Sequence, residues 1–256
     1  MQRRHFLAGA AGLGVASLAG CAAVEGSPRQ PVVPETRLSE GGWRLVDESR
    51  EQVFEQAFFG VTVTATASTR RYEDSALADE IAGKTLGEVT GEMSSFFATA
   101  VTFDPDLTSL PAGVGREQLL DRTEANARAE FGAQLESAGL TGVERTGTGE
   151  FEVATGETAR RTDYEATFSF EGFGFDVTED ERITVEGGEI PVEGHLAVWH
   201  HDAAVLVAGG AFPAANYASS TTQELTDAVT VTVDVDLGLT PDAYREELYG
   251  LMRRVR

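Results

Sequence analysis

Short runs in which apolar and small polar residues alternate recur along most of this chain, and they constrain its fold more than any other feature. Val229, Val231, Val233 and Val235 alternate strictly with Thr and Asp, which is the pattern of a strand with one buried face. Comparable runs lie at 43–49, 52–71, 96–103, 143–153, 163–170, 182–185, 195–200 and 203–208. Because short Gly-rich or acidic turns separate many of these runs, we expect neighbouring strands to be antiparallel.

Apolar residues recur at helical spacing in only a few segments. The longest covers 116–137, where Leu119, Phe131 and Leu135 fall on one face among charged residues. Shorter helices are predicted at 75–81 with Ser75 as the cap, at 220–227, and from Thr240-Pro241 to the C-terminus.

This order of elements predicts an α+β fold, an antiparallel sheet with helices packed on one or both faces. The order is loosely similar to that of the PsbP/Mog1 fold. That likeness implies a binding or accessory role by analogy of fold alone.

The charge of the chain is strongly unbalanced. Its 42 acidic residues against 20 basic ones give a net charge of -22, and Lys84 is the only lysine. Such a surface repels itself at ordinary ionic strength and is screened at molar salt, and the composition resembles that of proteins from salt-loving archaea. It also argues against a nucleic-acid partner, because phosphate binding needs clustered Lys and Arg. An acidic protein from an ordinary organism is the alternative.

The first residues have the form of an export signal. Arg3 and Arg4, followed by Phe6 and Leu7, match the twin-arginine pattern that a receptor of the export machinery reads. The uncharged run at 8–18 is too short, and too rich in Gly and Ala, for a membrane span of ~20 residues. It is therefore predicted to be a cleavable hydrophobic region.

A lipid attachment motif follows directly. Leu18, Ala19, Gly20 and Cys21 resemble a lipobox, whose cysteine is lipidated and becomes the first residue of the mature chain. Cys21 is the only cysteine, which excludes an intramolecular disulfide and any multi-cysteine metal site. A lipid with two hydrocarbon chains holds a protein stably on a bilayer. The sequence predicts a lipid anchor at the extracellular face of the cell membrane; the alternative is a plain signal peptide with an incidental cysteine.

These motifs divide the chain into three predicted parts. Residues 1–20 are the twin-arginine signal peptide with its lipobox, and residues 21–37, which contain three prolines, are a flexible lipid-anchored tether. Residues 38–256 form a single α+β domain.

The signal, the acidic body and two strand-like segments, GHLAVW at 194–199 and VLVAGGAFP at 205–213, resemble uncharacterised twin-arginine-exported lipoproteins of halophilic archaea. The resemblance covers most of the chain. It implies the export route and the anchor, and it carries no assigned activity.

Three of the four histidines lie close to an acid, at His195, His200, His201 and Asp202. On a strand His195 and His201 share a face, and His200 points to the other. One interpretation is a metal site built from His201, Asp202 and an acid from elsewhere. The preferred interpretation is a polar turn between buried strands, because no second ligand pair has metal-like spacing.

No G-x-S-x-G nucleophile motif is present, and lipidation of Cys21 leaves no free thiol for catalysis. We therefore expect no cofactor and no catalytic residue. The sequence predicts a membrane-anchored lipoprotein that binds a protein or a small ligand. The alternative is a carboxylate- or metal-dependent hydrolase that uses the region from His195 to Asp202.

Overall fold

The computed structural model of the protein describes residues 29–58, 61–106, 116–176, 182–226 and 229–256. In chain order its elements are α1 (Glu35–Glu40), β1 (Trp43–Phe58), β2 (Val61–Asp74), α2 (Ser75–Lys84), β3 (Ser95–Asp104), α3 (Arg116–Ser137), β4 (Thr141–Glu152), β5 (Thr158–Phe170), β6 (Phe173–Asp176), β7 (Arg182–Val185), β8 (Gly188–His201), β9 (Ala204–Pro213), β10 (Ala218–Thr226), β11 (Val229–Asp236) and α4 (Pro241–Met252). The export signal, the lipobox and Cys21 lie outside the described residues.

Seven strands form one sheet in the order β1-β2-β3-β9-β8-β5-β4, and every neighbouring pair is antiparallel. The hairpins β6–β7 and β10–β11 form two separate two-stranded sheets. The predicted α+β class with an antiparallel sheet is confirmed.

Helices cover both faces of the large sheet at its centre. All ten residues of β9 are buried. On one face α3 packs against β8, with Leu119 and Phe131 in the core. On the other face α4 lies over β9 and β3, with Leu248 and Leu251 buried. The predicted bounds of α3 agree with the structure because its apolar period is long and regular.

The folded body begins before the predicted boundary at residue 38. Val33 and Leu38 are both buried beneath α4, and the main chain of Val32 exchanges hydrogen bonds with that of Arg256. Residues 32–37, which the sequence assigned to the tether, therefore belong to the folded body. The prolines of the predicted tether suggested an open chain, but the side chain of Val33 is part of the core.

The helix predicted at 220–227 is wrong, because these residues lie mostly in β10. The strand pairs with β11, and the hydroxyl oxygens of Thr222 and Thr232 lie 3.0 Å apart across the pair. β-Branched residues favour a strand when a valine-rich partner lies beside them.

The helix ends also differ in detail from the prediction. Asp74, not Ser75, caps α2, since its carboxylate accepts a hydrogen bond from the Leu77 amide. Thr240 precedes α4 as expected but makes no capping hydrogen bond through its side chain. The last helix ends at Met252, four residues before the C-terminus.

Candidate functional site

The candidate site lies between α4, which packs on β9, and the neighbouring strands β8 and β5. Gly210 of β9 pairs with His195 of β8. A Cβ at Gly210 would lie 2.0 Å from the Ser95 carbonyl oxygen and 2.7 Å from Leu248 Cδ1. Glycine at this position therefore lets α4 lie close to the sheet, and the helix then covers the histidine.

His195 is buried and held from both sides of its ring. Its side chain faces Asp163 of β5, and Nδ1 lies 2.8 Å from Asp163 Oδ1. The hydroxyl oxygen of Tyr249, on α4, lies 3.4 Å from Nε2. Because a carboxylate only accepts hydrogen bonds, Nδ1 carries the proton and Nε2 is free to accept one from the tyrosine.

Asp163 also contacts a cation. Arg161, two residues earlier on the same face of β5, donates from Nη2 to Asp163 Oδ2 at 3.1 Å, and its Nε lies 2.8 Å from Oδ1. Gly147 and Gly149 of β4 stand opposite these two side chains. A Cβ at either glycine would come within 3.3 Å of a polar atom of Asp163 or Arg161, so the two glycines leave room for the ion pair.

A second ion pair lies beside the other nitrogen of the imidazole. Arg245 of α4 donates from Nη2 to both carboxylate oxygens of Glu193 at 2.9 Å, and from Nε at 3.2 Å. Glu193 Oε2 is 3.6 Å from His195 Nε2. The Arg245 guanidinium also lies 5.6 Å from the centre of the Phe212 ring.

Burial shifts the pKa values of His195 and Tyr249. Desolvation lowers the pKa of His195, although Asp163 and Glu193 act in the opposite direction. Desolvation likewise raises the pKa of Tyr249. At neutral pH the site therefore holds a neutral imidazole between a carboxylate and a protonated phenol, an arrangement that can orient or relay a proton.

The structure places His195 and His201 on one face of β8, as predicted, but the two side chains contact different residues. Six residues of extended strand span ~20 Å. His201 Nδ1 lies 2.9 Å from Glu157 Oε1 and its Nε2 lies 3.8 Å from Asp202 Oδ2, and Asp202 also pairs with Arg29 at 3.0 Å. Within the described part of the chain, no group of three or more His, Cys, Asp or Glu side chains is arranged to hold a metal ion. His201, Asp202 and Glu157 therefore lie near one another without forming such a group.

Sequence reasoning singled out His195 but missed its partners. Asp163 is 32 residues away and Tyr249 is 54 residues away along the chain. The only sequence signal was the spacing of two in Arg161/Asp163 and in Glu193/His195, which puts each pair on one face of its strand.

Fold and site together define an α+β sheet protein with an acid–base contact buried beneath its last helix. The chain belongs to the DUF6517 family, whose model, a domain of unknown function, matches residues 30–256. No curated protein and no solved structure matches the chain, so the likeness to the PsbP/Mog1 fold stays a prediction. No helix among the described residues is long and apolar enough to cross a bilayer.

Proposed function

We propose that this chain is a lipoprotein, exported by the twin-arginine route and held by a lipid on Cys21 at the outer face of the cell membrane. There the α+β body acts as a binding or accessory module. The support is the order of motifs at the N-terminus, in which the paired arginines, the apolar run and the lipobox precede the only cysteine.

The observation that carries the proposal is the position of Cys21 relative to the body. Val32 follows Cys21 by 11 positions and is already hydrogen-bonded to the C-terminal residue Arg256. A lipid on Cys21 would therefore hold the body close to the bilayer. The only thiol of the chain lies where such a lipid would attach.

The test replaces Cys21 by Ser and follows the chain in membrane and medium fractions of the producing cells. We expect the parent in the membrane fraction, with a mass at the N-terminus that corresponds to a lipidated cysteine. The Cys21→Ser chain should appear in the medium, because two hydrocarbon chains are what makes the association stable. Ala22→Ser is the matched control and should remain with membranes. A parent chain that begins at Met1 with an unmodified thiol would contradict the proposal.

A feature of β1 supports the binding role. It is an edge strand of the large sheet, and Leu45, Val46 and Val53 on it expose apolar side chains. Register shifts at Val46 and Val53 interrupt the pairing with β2. Exposed apolar residues on an edge strand are a common contact for a protein partner. Crosslinking in intact membranes should yield a defined adduct that Val46→Glu removes and that Val229→Glu, a change at an exposed valine elsewhere, retains.

The contact between His195 and Asp163 favours a second candidate, acid–base chemistry in a hydrolase. Of the region from His195 to Asp202 that the sequence indicated for a hydrolase, this candidate uses His195 with its partner Asp163. Hydrolysis of a p-nitrophenyl ester that is lost in His195→Gln and kept in His201→Gln would support it. Equal rates in both variants would exclude a role for His195.

A further inference from the structure

The two ends of the folded body meet at one place on its surface. The Val32 amide donates to the Arg256 carbonyl at 2.5 Å, and the Arg256 amide donates to the Val32 carbonyl at 2.9 Å. We call residues 29–34 and 253–256 together the terminal surface. It is tied to the rest of the body by the buried side chains of Val33 and Val255.

The terminal surface has the opposite charge to the chain as a whole. Its ten residues include four arginines and no aspartate or glutamate, whereas the full chain has 42 acidic residues and 20 basic ones. All four arginines are exposed. They are Arg29, Arg253, Arg254 and Arg256.

Most of this positive charge is available to an outside partner. Arg29 pairs with Asp202. The Arg253 guanidinium lies over the rings of Phe151 and Tyr249, and Arg254 donates to a main-chain carbonyl of α4. In the part of the chain that the structure describes, Arg253, Arg254 and Arg256 make no ion pair with an acidic side chain.

The terminal surface also has an apolar component. Val32 is 52% exposed, although it lies between the buried residues Pro31 and Val33. An aliphatic side chain surrounded by arginines is typical of a surface that meets the boundary between headgroups and acyl chains.

The position of the surface relative to Cys21 indicates what it meets. Eleven residues, fully extended, span at most about 40 Å. A lipid on Cys21 would therefore keep the terminal surface, where the chain enters the body, within about 40 Å of the bilayer. The remaining surface, which is strongly acidic, is repelled by anionic headgroups.

We propose that the terminal surface docks on the phosphates of an anionic bilayer, so that the body stands on the membrane by the end at which its two termini meet. The orientation rests on the proposed lipid anchor, whereas the affinity of the surface for anionic lipid does not. Guanidinium groups donate two parallel hydrogen bonds to a phosphate, and such contacts act at short range. Each arginine near an anionic membrane raises partitioning about fivefold at physiological ionic strength, and less at molar salt.

The test uses the full chain with Cys21→Ser, which cannot be lipidated. Binding is measured by flotation with vesicles, at the lowest salt at which circular dichroism shows a folded protein. The vesicles contain either phosphatidylglycerol in phosphatidylcholine or phosphatidylcholine alone. Two double variants are compared in this background. Arg254→Gln with Arg256→Gln alters the terminal surface, and Arg145→Gln with Arg182→Gln makes the same change in net charge on exposed arginines elsewhere.

We expect the parent to prefer anionic vesicles and the terminal-surface variant to lose that preference, by up to about 25-fold at low ionic strength and by less where molar salt is needed for folding. The control variant should stay within twofold of the parent. Equal losses in both variants, or no preference in the parent, would overturn the inference. Neither result depends on lipidation of Cys21, which fractionation and mass spectrometry test separately.

Discussion

Asp163 and His195 face each other across β5 and β8, with Oδ1 and Nδ1 2.8 Å apart, beneath α4. The contact joins two neighbouring strands through their side chains, and Tyr249 joins α4 to the same imidazole. Because the histidine is buried, its hydrogen bonds are shielded from water and should contribute more than those of exposed pairs. The same contact is therefore both a structural link and the strongest candidate for chemistry.

Replacing Asp163 by Asn tests this link. The amide keeps the shape of the carboxylate and can still accept from His195, but it loses the charge that holds Arg161. We expect the free energy of unfolding to fall by about 1.5–3 kcal/mol, the range for hydrogen bonds to charged groups. Asp176→Asn removes an exposed partner of Arg182 and should change stability by less than about 1 kcal/mol. Urea titrations at fixed salt measure the free energy of unfolding of both variants. Equal losses would show that the buried contact stabilises the protein no more than an exposed ion pair does.

The lowered pKa of His195 predicts a dependence of stability on pH. Its folded-state pKa lies below the ordinary value of about 6.5, so the unfolded chain binds a proton more readily. This contribution is fully present above pH ~6.5 and is lost as the pH falls from there towards the folded pKa. Unfolding titrations at several pH values from 8 down to 5 should show a decline that is shallower in His195→Gln. An unchanged slope in that variant would assign the decline to other groups.

Long, regular patterns made much of the fold predictable. The apolar period of α3 and the alternation in β11 each depend on the segment's own residues, so both were placed correctly. The segment now seen as β10 contains mostly small polar residues, and only its pairing with β11 decides between helix and strand. The secondary structure of this segment could therefore not be predicted from its own residues.

The candidate site was less predictable because it depends on strand register. His195 could be singled out, but its opposite residue follows from how β5 pairs with β8. Tyr249 reaches the histidine only because Gly210 lets α4 approach the sheet. A shift of register by one residue would exchange every side chain between the two faces, and no local pattern fixes it.

Gly210 should be among the least replaceable residues of the body. A methyl group there would overlap the carbonyl oxygen of Ser95, which is main chain and cannot move aside. We expect Gly210→Ala to lower the free energy of unfolding by about 3 kcal/mol, the upper range for overpacking. Gly132→Ala, in α3 with no atom within 4 Å of the added Cβ, should instead raise it by about 0.5–1 kcal/mol. Thermal unfolding of both variants measures the contrast, and similar melting temperatures would mean that α4 does not lie as close as described.

The excess of acidic residues predicts that the body needs salt to fold. Local clusters do satisfy some charges: Arg160 lies within 3.0 Å of Glu117, Asp121 and Glu124. With 42 acidic residues and 20 basic ones, however, most carboxylates repel one another, and only at molar salt does the Debye length shrink to about 3 Å. We expect the melting temperature by circular dichroism to rise steeply from dilute buffer to molar sodium chloride. Sucrose is the control, since it stabilises by exclusion without screening charge and should not replace the salt. Full folding in dilute buffer, with an unchanged melting temperature at molar salt, would contradict the prediction.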